Sequence, residues 1–150
     1  MSRKTSTRDL PIGGGRDYPN TESARQFWID SISQETGCDP KQVNTLFRRY
    51  GTRAAEIARG ISIRNDSPLT SLPEYSQEEI KLIVREEKVV HLDDFLLRRS
   101  TLAKIEHLSQ DCIGELTEII GAELNWSDQQ RLNESQRFCE LLLDRHGIEI

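Results

Sequence analysis

The sequence predicts an all-α fold, a compact bundle of six to seven short helices behind an extended N-terminal arm. Three observations carry this. Apolar residues recur at spacings of three and four through the longest patterned stretches, 78–104 and 102–124. Helix caps and helix stops punctuate the chain at short intervals. Hydrophobic residues make up 35% of the 150 and charged residues 30%, which suits a small helical domain with wide solvated faces. A chain of this length can build one real core, and residues 21–150 read as a single helical domain.

Residues 1–20 read as a linker or arm, with Pro11, Pro19, three consecutive glycines (Gly13, Gly14, Gly15) and no helical period. The glycines invite comparison with a dinucleotide-binding loop. That reading fails on context, since no apolar strand precedes them and no amphipathic helix follows at once.

Thr21 or Ser23 caps a first helix that runs to about Thr36, with Phe27, Trp28, Ile29 and Ile32 as its apolar face and Gly37 as its stop. Asp39 and Pro40 supply the cap and first turn of a second helix ending at Tyr50-Gly51, with Val43, Leu46 and Phe47 facing inward. A third runs from Thr52 to about Ile61 and presents Ala54, Ala55, Ile57 and Ala58. Residues 62–75 contain Pro68 and Pro73 and form a loop, with Leu69 and Leu72 pinning it to the core.

The central stretch then opens with Ser76 and Glu79 at the spacing of a capping box. Ile80, Ile83, Val84 and Val90 share one helix face. A second short helix, 91–99, carries Leu92, Phe95 and Leu96 on one side, and Asp94 and Arg98 are four apart for an ion pair. From Leu102 to about Leu124 a further helix repeats Ile105, Leu108, Cys112, Ile113, Leu116, Ile119 and Ile120, and Gly114 and Gly121 offer it close approach to a neighbour. Ser127 caps a last helix to Arg145, burying Leu132, Phe138, Leu141 and Leu142 before Gly147 ends it.

Several function classes are excluded. No run of apolar residues is long enough to span a membrane, and no charged-then-apolar leader opens the chain. Cys38, Cys112 and Cys139 are odd in number and scattered, and His91, His107 and His146 stand at no ligand spacing from them. Reduced thiols in a cytoplasmic setting, with no metal, follow. Residues 1–64 hold 11 Lys and Arg against 7 Asp and Glu, and residues 65–150 hold 9 against 18. Arg48, Arg49, Arg53 and Arg59 near the Gly51 corner suggest a helix-turn-helix, and hence a small nucleic-acid-binding module as the alternative function. The plainer reading is that these arginines cover a solvated or partner-facing side, as acids interrupt the basic stretch throughout.

No catalytic constellation emerges. Glu86-Glu87 and Asp93-Asp94 are adjacent pairs whose members point in different directions on a helix, so neither converges on one substrate atom. With Arg98 and Arg99 they read as a structural charge network. Catalytic, cofactor-binding and metal residues are expected to be absent.

Glu87 followed by L-D-D-F-L-L-R-R-S resembles the signature of one family, the C-terminal helical domain of FAD-dependent glycerol-3-phosphate dehydrogenases and alpha-glycerophosphate oxidases. Glu87, Leu92, Asp94, Phe95, Leu96, Arg98 and Arg99 match seven positions within thirteen, and Ser100 stands where Thr is usual. Leu46, Tyr50, Gly51 and Ala54 resemble a second family segment, and 10–19 the exit from the flavin domain. The resemblance covers about 40–145. It implies a non-catalytic accessory domain in which Glu87, Asp94, Arg98 and Arg99 fasten the two signature helices together. It further implies a parent that oxidises sn-glycerol 3-phosphate to dihydroxyacetone phosphate through FAD and passes electrons to quinone. FAD and the substrate ligands would lie in that parent, whose flavin and substrate domain is the expected partner. The parent would sit peripherally at the inner membrane. A free-standing protein-interaction module is the remaining alternative.

Overall fold

The computed structural model describes residues 13–100 and 108–150. The chain divides into two compact units, Met1–Asn65 and Asp66–Ile150. The architecture is all-α. Among the described residues the only β pairing is a lone bridge between Pro68 and Ser76.

The first unit holds three helices: α1 (Glu22–Thr36), α2 (Pro40–Tyr50) and α3 (Ala54–Arg64). The Thr21 hydroxyl accepts from the Ala24 amide to start α1, and Gly37, at φ 74°, ends it. Asp39 caps α2 through the Lys41 amide, with Pro40 in the first turn. Gly51–Arg53 forms a 3-10 turn before α3, and α3 runs one turn beyond the predicted end because Asn65 takes up the left-handed stop. The core is Ile29, Ile32, Val43, Leu46, Phe47, Ala54, Ile57, Ala58 and Ile61. Phe27 is 76% exposed, so the predicted apolar face of α1 is narrower than the sequence suggests: Ile29 and Ile32 are buried, Trp28 packs on Phe47, and Phe27 points away. Arg59 of α3 grips Glu35 of α1 through Nε (2.6 Å) and Nη2 (3.1 Å).

The glycine-bearing part of the predicted arm is packed onto this unit. The Thr52 amide donates to the Gly14 carbonyl at 3.0 Å, and Tyr18 stacks on Phe47 with ring centroids 5.1 Å apart.

The second unit holds α4 (Gln77–Glu86), a π-helix (Asp94–Arg99), α5 (Gln110–Glu123) and α6 (Asp128–His146). Ser76 caps α4 through the Glu79 amide, while Asp66 takes the Glu78 amide at 2.7 Å. Leu69 and Leu72 are buried, as predicted for the proline loop. Glu115 of α5 holds that loop by accepting from the Thr70 and Ser71 amides, each at 2.8 Å, and from the Ser71 hydroxyl. Burial alone would raise the Glu115 carboxyl, but these donors outweigh it and hold it below the ordinary range. Arg85 of α4 forks onto Glu123 of α5 at 2.6 and 3.2 Å.

Four expectations are corrected here. α4 stops at Glu86 instead of running on to Val90. Lys88 turns left-handed at φ 52°, which buries Val89 and leaves Val90 58% exposed. α5 begins at Gln110, where the extended Ser109 caps it through the Cys112 amide; Leu102 and Ile105 lie outside the described residues. On α6, Phe138 and Leu142 are fully buried but Leu132 is 53% exposed, because one face of this long helix meets α5 and Leu132 lies off it. Finally, among the described residues nothing beyond its own helix backbone and chain neighbours lies within 4 Å of where a Cβ on Gly114 would stand, whereas one on Gly121 would meet the Arg131 side chain.

Candidate functional site

The signature residues converge on the turn between α4 and the π-helix and on the face of α6 that receives it. A π-helix closes its hydrogen bonds over one residue more than an α-helix, so its turn is wider. Leu92, Phe95 and Leu96 are each 0% exposed on this turn. They form the apolar anchor.

Asp94 folds back over the entry. One of its carboxylate oxygens accepts from the amides of Val90 and His91, each at 3.1 Å, satisfying donors that a helix start leaves open. Arg98 approaches Asp94 at 3.4 Å, one turn on. Arg99 approaches Glu87 at 3.5 Å, joining the end of the π-helix to the end of α4. Both arginines are exposed, so these pairs contribute well under about 1 kcal/mol each. The Ser100 hydroxyl donates to the Leu96 carbonyl at 3.1 Å, a bond that a threonine hydroxyl in its place can also make. Asp94→Ala removes the cap of two amides and is expected to lower the stability of this unit by about 1 kcal/mol, read as a lower Tm; an unchanged melting curve would dismiss Asp94 as a fastener.

The hub of the site is Glu134 on α6. Its carboxylate faces His91 Nδ1 (2.9 Å), the Leu92 amide (3.2 Å) and Arg137 Nε (2.7 Å). Arg137 also reaches Asp93, so it bridges α6 to the turn. Burial pushes the Glu134 carboxyl up, but hydrogen bonds from Arg137, His91 and the Leu92 amide outweigh it and hold it below the ordinary range. The same bond to Glu134, with Asp93 behind it, raises the Arg137 guanidinium against the opposing effect of burial. With Glu134 ionised, His91 Nδ1 is the donor.

Sequence reasoning brought out Glu87, Asp94, Arg98 and Arg99, and the structure gathers all four at this turn. It missed Glu134 and Arg137. Their three-residue spacing shows only a local pair on α6, and nothing in it points to partners more than forty residues earlier.

The arrangement holds elements together. Two shallow clefts in this unit, of about 340 and 630 Å³, are lined by residues of α5, the start of α6, and segments 70–71 and 109–111. None of those residues belongs to the signature. Among the described residues, no group of three His, Cys, Asp or Glu stands close enough to hold a metal ion, and no helix is long and apolar enough to cross a membrane. Cys38 and Cys112 are buried and Cys139 is half-buried, all as free thiols; burial pushes the Cys112 thiol up.

Comparison with known proteins bears on this geometry. Mitochondrial glycerol-3-phosphate dehydrogenase of Mus musculus is 27% identical over 142 residues, covering 88% of this chain and 19% of that protein. The Homo sapiens protein is 26% identical over 164 residues, covering 96% of the chain and 22% of its own length. Glycerol-3-phosphate dehydrogenase of Mycobacterium leprae is 26% identical over 102 residues, covering 66% of the chain and 17% of that protein. The chain thus spans about a fifth of the length of the curated relatives it matches. No solved structure matches it. The model for the C-terminal domain of alpha-glycerophosphate oxidase matches residues 5–131, across both helical units and through the whole signature, and the chain therefore belongs to that family.

Proposed function

We propose that this chain serves as a non-catalytic accessory domain of a flavin-dependent glycerol-3-phosphate oxidoreductase. In this reading the rest of the parent binds FAD and glycerol 3-phosphate, oxidises the substrate to dihydroxyacetone phosphate and hands the electrons to quinone. It does so from the cytoplasmic side of a membrane that it does not span through this domain. The helical units supply packing against the flavin-bearing portion. The observation that carries the reading is the fate of the signature side chains. They are buried, or bonded to backbone amides and to one another. Such residues shape a domain and leave the chemistry to another part of the molecule.

The test uses the purified chain. It is expected to show no flavin absorbance and no reduction of a dye acceptor when glycerol 3-phosphate is added, while unfolding cooperatively. Bound FAD or dye reduction would overturn the reading. The gene supplies a second check: a flavin domain encoded upstream in the same frame supports the accessory role, and a frame beginning at Met1 would replace it with a free-standing interaction module.

A further inference from the structure

We infer that residues 13–18 form a fixed strap rather than a flexible tether. Polypeptide arriving from upstream therefore meets the first helical unit at the α2–α3 corner, before it reaches the start of α1. The inference rests on the reading of this chain as part of a longer protein only for its consequence.

Two glycines meet backbone to backbone. Gly14 lies at φ 79° and Gly51 at φ 59°, both in the left-handed region that side chains disfavour. A Cβ on Gly14 would stand 2.0 Å from the Tyr50 carbonyl oxygen, and one on Gly51 would stand 2.2 Å from the Gly14 oxygen. Neither obstacle is the end of a flexible side chain, so neither can swing aside. The close approach lets Thr52 grip the strap twice. Its amide donates to the Gly14 carbonyl at 3.0 Å. Its hydroxyl, with one proton to give, is shared between the carbonyls of Gly14 (3.1 Å) and Arg16 (2.8 Å).

Four residues after Gly14, Tyr18 stacks on Phe47 at 5.1 Å and an interplanar angle of 21°. Phe47 in turn packs against Trp28 of α1, with ring centroids 4.8 Å apart. The strap is thus held at two separated points, by backbone bonds at the corner and by a ring stack on α2. An unstructured linker needs neither, and fixing its residues costs roughly 1–2 kcal/mol each. A segment that is ordered at that cost sets a direction. Any rearrangement of the upstream polypeptide would pull on the junction of α2 and α3, which supply Val43, Leu46, Phe47, Ala54, Ile57, Ala58 and Ile61 to the first core.

The Thr52 amide reports on the strap directly, because its hydrogen bond goes to Gly14. Its hydrogen exchange, followed by NMR in the intact chain, is expected to be slowed by at least about tenfold relative to an open amide. Gly14→Val places the clash on the strap, leaving the backbone of α2 and α3 untouched. It should return the Thr52 amide to the open rate and remove the ring-current shift of Tyr18, while the Ile57 and Ala58 amides of α3 stay protected. Gly51→Ala should do the same from the other side of the contact. A Thr52 amide that exchanges freely in the unaltered chain, or protection that survives Gly14→Val, would overturn the proposal. These readouts do not depend on the parent. A protected strap in a chain that proves to bind flavin would sink the accessory-domain reading and leave the strap standing.

Discussion

Phe95→Ala is expected to destabilise the second unit by about 3–5 kcal/mol, the range for deleting a fully buried aromatic ring. Phe95 is 0% exposed and lies between Leu92 and Leu96, which are equally buried. Its position on a π-turn leaves the cavity little chance to close, since Asp94 and Glu134 hold the backbone on its N-terminal side by hydrogen bonds to the amides of Val90, His91 and Leu92. A loss of that size is a large fraction of the whole stability of a small domain. Phe95→Leu keeps most of the volume and should cost below about 1.5 kcal/mol. Urea titration of the two variants separates the outcomes. A midpoint for Phe95→Ala close to that of the unaltered chain would mean that the signature turn is not part of the folded core.

Glu134→Ala is expected to cost about 2–4 kcal/mol, because it strands several donors at once. The Leu92 amide belongs to a residue with no exposure and loses its acceptor. Arg137 keeps Asp93, and His91 Nδ1 turns to solvent. The same carboxylate gives a pH signature. Against the opposing effect of burial, Arg137, His91 and the Leu92 amide hold its folded-state pKa below the ordinary glutamate value of 4.5, so the folded state holds its proton less tightly than the unfolded chain does. The stabilisation is therefore complete above about pH 4.5 and is lost as the pH falls through the folded value. Glu134→Gln keeps the shape and removes the titration. Its stability should fall less between pH 6 and pH 3 than that of the unaltered chain, with the remaining loss carried by Glu115 and Glu35, which are held low by their own partners. Identical acid profiles for the two proteins would show that Glu134 is not the hub described above. These two changes act on the signature turn from opposite sides, one from its apolar interior and one from its polar rim, and together they ask what the motif is for. If it is a fastener, both lower stability.

The sequence by itself determined the helical class, most helix starts and the signature. Capping is local chemistry: Thr21, Asp39, Ser76 and Ser127 each bond an amide two or three residues on, and such short reach is visible in one dimension. The buried rows Val43-Leu46-Phe47 and Ile80-Ile83-Val84 follow helical spacing for the same reason. The tertiary structure decided the rest. Phe27 and Leu132 fit an apolar period yet point outward, because what a helix face buries depends on the neighbour it meets. The turn at Lys88 exchanged Val90 for Val89, since a single left-handed residue reverses which side faces the core. Gly13–Gly15 has the composition of a linker, but Gly51 lies 37 residues beyond Gly14, and only folding brings the two backbones into contact. Glu134 and Arg137 were illegible on the same ground, their partners being set by the packing of α6 against the signature turn. Local hydrogen bonds and periodicity leave their mark in sequence, whereas contacts between distant segments arise only when the helices dock.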